Sequence, residues 1–163
     1  MVDSTPQKTL LVTGGTGYIG SHTVVELLES QKCGFTKIVI VDNLENSSTK
    51  VLDRIGEITK TQYEVDFFFE ECDLRDKALL DSIFKKHAPV HSVIHFAGLK
   101  AVGVSVSQPL FYYENNVGGT VTLLQVMEKH LCKNIIFSSS ATVYGDNPLA
   151  KEGDQIQPTN PYG

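Results

Sequence analysis

The stretch Thr13-Gly14-Gly15-Thr16-Gly17-Tyr18-Ile19-Gly20 decides how this chain folds. It follows the short apolar run of residues 10–12, which predicts a buried strand, and it precedes a segment whose apolar residues recur at helical spacing. Between a strand and a helix, Gly14 permits the tight turn, Gly17 lets backbone approach a pyrophosphate, and Gly20 lets the helix pack closely on the strand. The free N–H groups at the helix N-terminus favour phosphates. The pattern predicts a phosphate-binding corner, although a glycine-rich turn can also simply reverse the chain.

An acidic residue stands at the distance that such a corner requires. Residues 37–42 form a β-branched run that suits a parallel strand covered on both faces, and the run ends at Asp42, 22 residues after Gly20. This spacing is close to that of the acid that holds a ribose; the alternative is an aspartate that caps a loop, which Asn43 and Asn46 leave open. A carboxylate about 4 Å from a 2′-phosphate would repel it by a few kcal/mol at an effective dielectric near 20, so NAD is favoured over NADP.

The rest of the chain alternates helices and strands. Apolar runs predict further strands over residues 65–69, 90–96 and 133–138. Helical spacing predicts helices over residues 49–60, around 79–84 and over 108–129, where Gly118 and Gly119 would loosen the last one. Asn160 as cap and Pro161 at the first helical position predict the start of one more helix. The alternation predicts an α/β fold with a doubly wound parallel sheet, a Rossmann-like NAD-binding domain over residues 1–163.

Composition excludes several other classes of protein. A chain of 163 residues with 41% hydrophobic and 20% charged residues fits one domain that buries roughly 70% of its unfolded surface. A net charge of −5 without a basic run, and the lack of any long apolar stretch, lead us to expect neither nucleic acid nor a membrane as partner. Cys33, Cys72 and Cys132 lack metal-ligand spacing, so we predict free thiols, no metal site and, with no hydrophobic leader, a cytoplasmic protein.

Small and polar residues follow the third and fourth predicted strands. Asp73 could cap the next helix or accept a hydrogen bond from an adenine amino group. The Ala97-Gly98 pair would let a cofactor cross the backbone at the carboxyl edge of the sheet. His95, inside the fourth strand, is more simply explained as a packing residue than as a ligand. Lys100 is the only charge in the following loop, and its position alone is equally compatible with solvation and with function.

The fifth predicted strand ends in hydroxyl groups. Alternate strand residues share a face, so Ser138 and Ser140, with Thr142 beyond them, would point together at the carboxyl end of the sheet. Such a cluster can polarise a carbonyl or align a substrate hydroxyl, whereas the simpler interpretation is a serine-rich loop.

Four motifs together closely resemble the UDP-galactose (UDP-glucose) 4-epimerase family, within the extended short-chain dehydrogenase/reductases. They are Thr-Gly-Gly-x-Gly-Tyr-Ile-Gly-Ser-His at 13–22, His-Phe-Ala-Gly-Leu-Lys-Ala-Val-Gly at 95–103, Phe-Ser-Ser-Ser-Ala-Thr-Val-Tyr-Gly at 137–145 and Asn-Pro-Tyr-Gly at 160–163. The first and third occur widely in the superfamily, whereas the segment around Lys100 is more particular to the epimerases. The resemblance implies the cofactor NAD, a UDP-sugar substrate (UDP-glucose or UDP-galactose) and a homodimer when the protein is intact.

The resemblance also implies residue roles. Tyr162 would be the general base that removes the proton from the sugar 4-hydroxyl, with Ser140 hydrogen-bonded to the same oxygen, while NAD oxidises C4 transiently and the hydride returns to the opposite face. A phenol with an ordinary pKa near 10 must be lowered toward neutrality, which a nearby lysine and the positive nicotinamide would do. Phe96 matches the segment against the nicotinamide, and Lys100 and the Asn115-Asn116 pair match positions near phosphates and substrate. The cofactor-binding residues expected in full are Gly14, Gly17, Tyr18, Ile19, Gly20, Asp42, Asn43, Asp73, Leu74, Phe96, Ala97, Gly98, Lys100, Asn115, Ser138 and Tyr162; the substrate-binding residues are Lys100, Ser140, Ala141, Thr142 and Tyr162.

The chain departs from the family pattern at two places. Val104 stands where the family usually has glutamate, and the lysine expected at position 166 lies beyond the given residues. We therefore expect an N-terminal portion that ends just after the catalytic tyrosine, lacks the substrate domain and is inactive alone. Two alternatives stay open: a sugar-nucleotide dehydratase, disfavoured because residues 141–143 contain no carboxylate, and a non-catalytic NAD-sensing domain.

Overall fold

Five parallel strands form the centre of the computed structural model, which describes residues 8–30 and 34–163. The strands are β1 (Thr9–Thr13), β2 (Lys37–Asp42), β3 (Phe67–Glu71), β4 (Val90–His95) and β5 (Asn134–Phe137), in the spatial order β3-β2-β1-β4-β5. The order reverses between β1 and β4, and ligands of open α/β sheets bind at such a switch point.

Helices cover both faces of this sheet. They are α1 (Tyr18–Glu29), α2 (Lys50–Thr59), α3 (Lys77–Lys86), α4 (Val102–Ser107), α5 (Pro109–Tyr112) and α6 (Gly119–Lys129), with a π-helical turn at Tyr113–Gly118 and a 3₁₀ turn at Ala141–Tyr144. Alternate residues of β1 and β2 divide the core: Leu10 and Ile40 pack with α1 and α2, whereas Leu11 and Val39 pack with α3 and α6. The predicted doubly wound, Rossmann-like fold is confirmed.

Three predicted elements differ in extent. β3 begins at Phe67 rather than at Val65, because Val65 lies in a turn where its N–H bonds the Gln62 carbonyl at 3.2 Å. The long helix predicted over residues 108–129 is divided into α5, the π-helical turn and α6. The loop expected after the fourth strand is short, because α4 begins at Val102, two residues after Lys100.

Two capping predictions have different outcomes. Asp73 does not cap α3, since Asp76 does so by accepting the N–H of Leu79 at 2.9 Å. Asn160 acts as expected, because its Oδ1 accepts the N–H groups of Tyr162 and Gly163, both at 3.1 Å, although the residues up to 163 form a turn rather than a helix.

The predicted free thiols can be checked at two of three positions. Cys72 and Cys132 are free and buried, while Cys33 lies outside the described residues. Within the described ranges, no helix has the length and apolar character needed to cross a membrane.

Candidate functional site

The glycine turn after β1 is pressed against the end of β4. Gly14 has a φ of +67°, and a Cβ there would lie 2.6 Å from the Ala97 nitrogen, so both conformation and space require glycine. A Cβ on Gly20 would overlap the Gly14 carbonyl, which means that α1 packs closely on the turn itself. Gly17, the N-cap of α1, receives no side-chain cap, and the first turn of the helix holds no acidic residue. The turn and the helix start can therefore accommodate an anion.

Asp42 lies beside this turn and already accepts hydrogen bonds. Its carboxylate receives the Thr16 N–H at 3.2 Å, the Leu44 N–H at 3.0 Å and the Ser47 hydroxyl at 3.2 Å. The loop-capping alternative is therefore realised in the structure. A carboxylate offers about four acceptor positions, so three donors leave capacity for a ribose hydroxyl as well.

The carboxylate of Asp73 is paired with Arg75. The guanidinium donates to both of its oxygens, at 2.9 and 2.6 Å, and the Arg75 backbone N–H donates at 2.9 Å. These hydrogen bonds hold the pKa of Asp73 down, to about 2. Asp73 is therefore an ionised acceptor at neutral pH, and its contact with an adenine stays a prediction.

His95 is a packing residue, as expected. It is 2% exposed, its Nδ1 lies 2.6 Å from the Thr13 hydroxyl and its Nε2 lies 2.9 Å from the Thr120 hydroxyl. Burial lowers the pKa of His95 from 6.5 to about 4. The neutral ring thus joins β1, β4 and α6 directly beneath the site.

The loop that carries Lys100 is held by two side chains from α5 and the π-helical turn. Asn116 accepts the Leu99 N–H at 2.8 Å and donates to the Leu99 carbonyl at 2.9 Å. The Tyr112 hydroxyl accepts the Ala101 N–H at 3.0 Å and donates to the Ala101 carbonyl at 2.9 Å. The sequence assigned no such role to Tyr112; the available signal was a tyrosine on a predicted apolar helix face, since a buried hydroxyl needs partners.

Ser140 and Tyr162 lie at the other side of the site. The Ser140 hydroxyl lies 2.8 Å from the Thr142 hydroxyl and accepts the Thr142 N–H at 3.2 Å, which fixes its position. The turn capped by Asn160 places Tyr162 against the same cleft.

One pocket of about 800 Å³ contains nearly all of the predicted residues. Its lining includes every expected cofactor-binding residue as well as Ser140. It also includes Tyr112 and Tyr113, for which the sequence left open pocket lining or aromatic packing, and residues to which the sequence gave no place in the site, among them Cys72, Leu99 and Thr120. Ala141 and Thr142 are not among the lining residues, and their contact with substrate stays a prediction. The volume lies within the range of small-molecule and cofactor sites.

The strand order, the glycine turn at the switch point and the acid after β2 define a dinucleotide-binding protein of the Rossmann class. Residues 11–163 match the family described as GDP-mannose 4,6 dehydratase, and the chain belongs to that family.

Proteins similar to this chain are UDP-glucose 4-epimerases. The enzyme of Yersinia pestis is 54% identical over 157 residues, which cover 94% of this chain and 44% of the relative. UDP-glucose 4-epimerase 2 of Arabidopsis thaliana is 52% identical over 159 residues, which cover 96% of this chain and 43% of the relative. The crystal structure of the Bifidobacterium longum UDP-glucose 4-epimerase in complex with NAD+ and UDP superposes with a TM-score of 0.84 at 46% identity, over 94% of this chain and 44% of that one. The resemblance found in the sequence is confirmed, and the chain spans less than half the length of these relatives.

Proposed function

We propose that this chain is the NAD-binding part of an NAD-dependent UDP-glucose/UDP-galactose 4-epimerase of galactose metabolism. The observation that carries the proposal is that Ser140 and Tyr162 line the same pocket as the glycine turn and Asp42, although the chain separates them widely. The names of the similar proteins support the same activity.

The pocket fits the cofactor at three places. The glycine turn and the start of α1 would receive the pyrophosphate, because no side chain caps the helix N-terminus and its first turn holds no acidic residue. Asp42 and Asn43 would hold the adenosine ribose, with Asp73 and Leu74 at the adenine. Phe96, Ala97 and Gly98 would face the nicotinamide end, at the carboxyl edge of β4. When bound, NAD supplies the acceptor for a hydride from the sugar C4.

Side chains of this chain would transfer the proton of the sugar 4-hydroxyl. Tyr162 accepts the proton of the sugar 4-hydroxyl, and Ser140 donates to the same oxygen from a hydroxyl whose orientation Thr142 constrains. A lysine at position 166 would lower the phenol pKa. Return of the proton by Tyr162 completes the cycle without net change in the protein.

A dehydratase of the same family would need a carboxylate acid–base pair after Ser140, which this chain lacks. Residues 141–143, directly after Ser140, are Ala-Thr-Val, and none of them can exchange a proton as a carboxylate does. Reversible epimerisation needs only the tyrosine and its hydroxyl partner, so it fits this site better.

We further propose a cytoplasmic homodimer in which residues beyond 163 complete the sugar site. The share of the relatives that this chain covers supports a longer protein, and Cys72 and Cys132, both free thiols, fit a reducing compartment.

The complete protein tests the activity. Supplied with UDP-glucose, it should form UDP-galactose to equilibrium, measured by chromatography, with no net consumption of NAD. Steady accumulation of NADH with turnover would show a dehydrogenase, and loss of water from the sugar would show a dehydratase. Binding of NAD without any turnover would instead support the sensor.

A further inference from the structure

The backbone on either side of Lys100 is held by side chains rather than by a sheet or helix. Residues 99–101 have no regular secondary structure, so their N–H and C=O groups need partners. Asn116 satisfies both backbone groups of Leu99, and Tyr112 satisfies both backbone groups of Ala101. Lys100 therefore projects from a segment with four fixed hydrogen bonds around it.

The two anchoring side chains come from one irregular helical segment. Tyr112 ends α5 and is 3% exposed, and Asn116 lies in the π-helical turn, where it also covers Gly98 with its Oδ1 3.5 Å from a Cβ added there. π-helical turns occur frequently at functional sites because they change which side chains face one direction. Here Tyr112 and Asn116, four positions apart, hold the residues on either side of Lys100.

The ammonium group that this arrangement supports has no partner in residues 8–30 and 34–163: Lys100 forms no hydrogen bond or ion pair there, although it lines the pocket. Its loop follows Phe96 and Ala97, the residues directly after β4, whose backbone lies against the glycine turn. A lysine on an anchored backbone, in a pocket that also holds an uncapped helix N-terminus, suits a diphosphate.

We propose that Tyr112 and Asn116 are positioning residues that act through Lys100, setting its ammonium group against the diphosphate of a bound ligand. This inference rests on the proposed function for the identity of the ligand. The diphosphate belongs either to NAD or to the UDP-sugar, and separate measurements of the two distinguish these sources.

The test uses the complete protein with Tyr112→Phe, Lys100→Met and the double variant. Tyr112→Phe removes only the hydroxyl, and we expect it to weaken NADH binding or to raise the KM for UDP-glucose about 10-fold, because a displaced charge contributes less to binding. If Tyr112 acts through Lys100, the double variant should lie within about twofold of Lys100→Met alone. Tyr63→Phe, which makes the same chemical change far from the pocket, is the matched control and should leave both values unchanged.

Two results would overturn the inference. Fully multiplicative effects of the two substitutions would show that Tyr112 does not act through Lys100, and a lowered Tm with unchanged affinities would show a purely structural role. Asn116→Ala, which removes both hydrogen bonds to the Leu99 backbone without adding a charge, repeats the test if Tyr112→Phe does not fold. NADH fluorescence titration requires no turnover, so an inactive wild type would refute the epimerase function while the positioning role is still measured.

Discussion

The Thr13 hydroxyl and the His95 Nδ1, 2.6 Å apart, form the centre of a chain of hydrogen bonds beneath the site. The Ala97 N–H lies 3.4 Å from the Thr13 hydroxyl oxygen, so this hydroxyl donates onward to His95. On the other side the Thr120 hydroxyl donates to the Asn116 carbonyl at 2.6 Å and accepts from the His95 Nε2. Burial lowers the pKa of His95 to about 4, so the ring is neutral, and because the Thr120 hydroxyl gives its proton to the Asn116 carbonyl, the ring proton lies on Nε2. The ring links the end of β4 to the π-helical turn through Thr120.

This chain of hydrogen bonds predicts a pH dependence of stability. Because the folded pKa of His95 is about 4, below the ordinary 6.5, the unfolded chain binds more protons between these values. The contribution of the neutral His95 ring to the free energy of unfolding is fully present above pH 6.5. It is lost as the pH falls toward 4, by at most about 1.4 kcal/mol per pH unit. The free energy of unfolding, measured with urea at several pH values in this range, should depend less steeply on pH in His95→Gln than in the wild type. Equal slopes would place the responsible titration elsewhere, for instance at His87, whose pKa burial also lowers.

Gly14 should tolerate no side chain. Gly14→Ala forces a left-handed φ of +67° on alanine and places its Cβ 2.6 Å from the Ala97 nitrogen. Gly34 has nearly the same φ, +68°, with nothing within 4 Å of an added Cβ, so Gly34→Ala measures the conformational cost alone, about 1 kcal/mol. We expect Gly14→Ala to cost at least about 2 kcal/mol more in urea unfolding and to abolish NADH binding. Equal costs for the two variants would mean that the turn moves freely away from β4.

The buried strands and the glycine turn were predictable because their signals are local. β1, β2 and β4 are short apolar runs, and the distance from Gly20 to Asp42 reflects one helix and one strand of ordinary length. The turn and the acid were therefore placed correctly at the edge of the sheet.

The segment from Lys100 to Asn116 was less predictable because its structure depends on contacts across a loop. Hydrophobic periodicity predicts one helix over residues 108–129 and does not distinguish the π-helical turn at Tyr113–Gly118 from α-helix. The Tyr112 hydroxyl signals that it needs a partner, but the sequence does not indicate that the partner is the backbone of Ala101.

Asp42 should control the choice between NAD and NADP. Asp42→Asn keeps one oxygen for the donors of the loop and removes the charge that would repel a 2′-phosphate. We expect the preference for NAD over NADP, measured as the ratio of dissociation constants, to fall at least about 10-fold, a change of about 1.4 kcal/mol. Asp53→Asn makes the same change on α2, away from the pocket, and should leave the ratio unaltered. An unaltered ratio in Asp42→Asn would show that another group selects the cofactor.

The Tyr162 hydroxyl should be required for chemistry and contribute little to the affinity for the cofactor. Tyr162→Phe keeps the ring and the backbone hydrogen bonds with Asn160 while it removes the group that exchanges the proton, so we expect kcat of the complete protein to fall about 10²–10⁴-fold with NADH affinity nearly unchanged. Tyr144→Phe, on the neighbouring 3₁₀ turn but outside the pocket lining, is the matched control and should retain the wild-type rate. Ser140→Ala should lower kcat in the same direction but less, because the tyrosine can still accept the proton without its hydroxyl partner. A near-normal rate in Tyr162→Phe would assign the proton transfer to another residue and leave Tyr162 as a wall of the pocket.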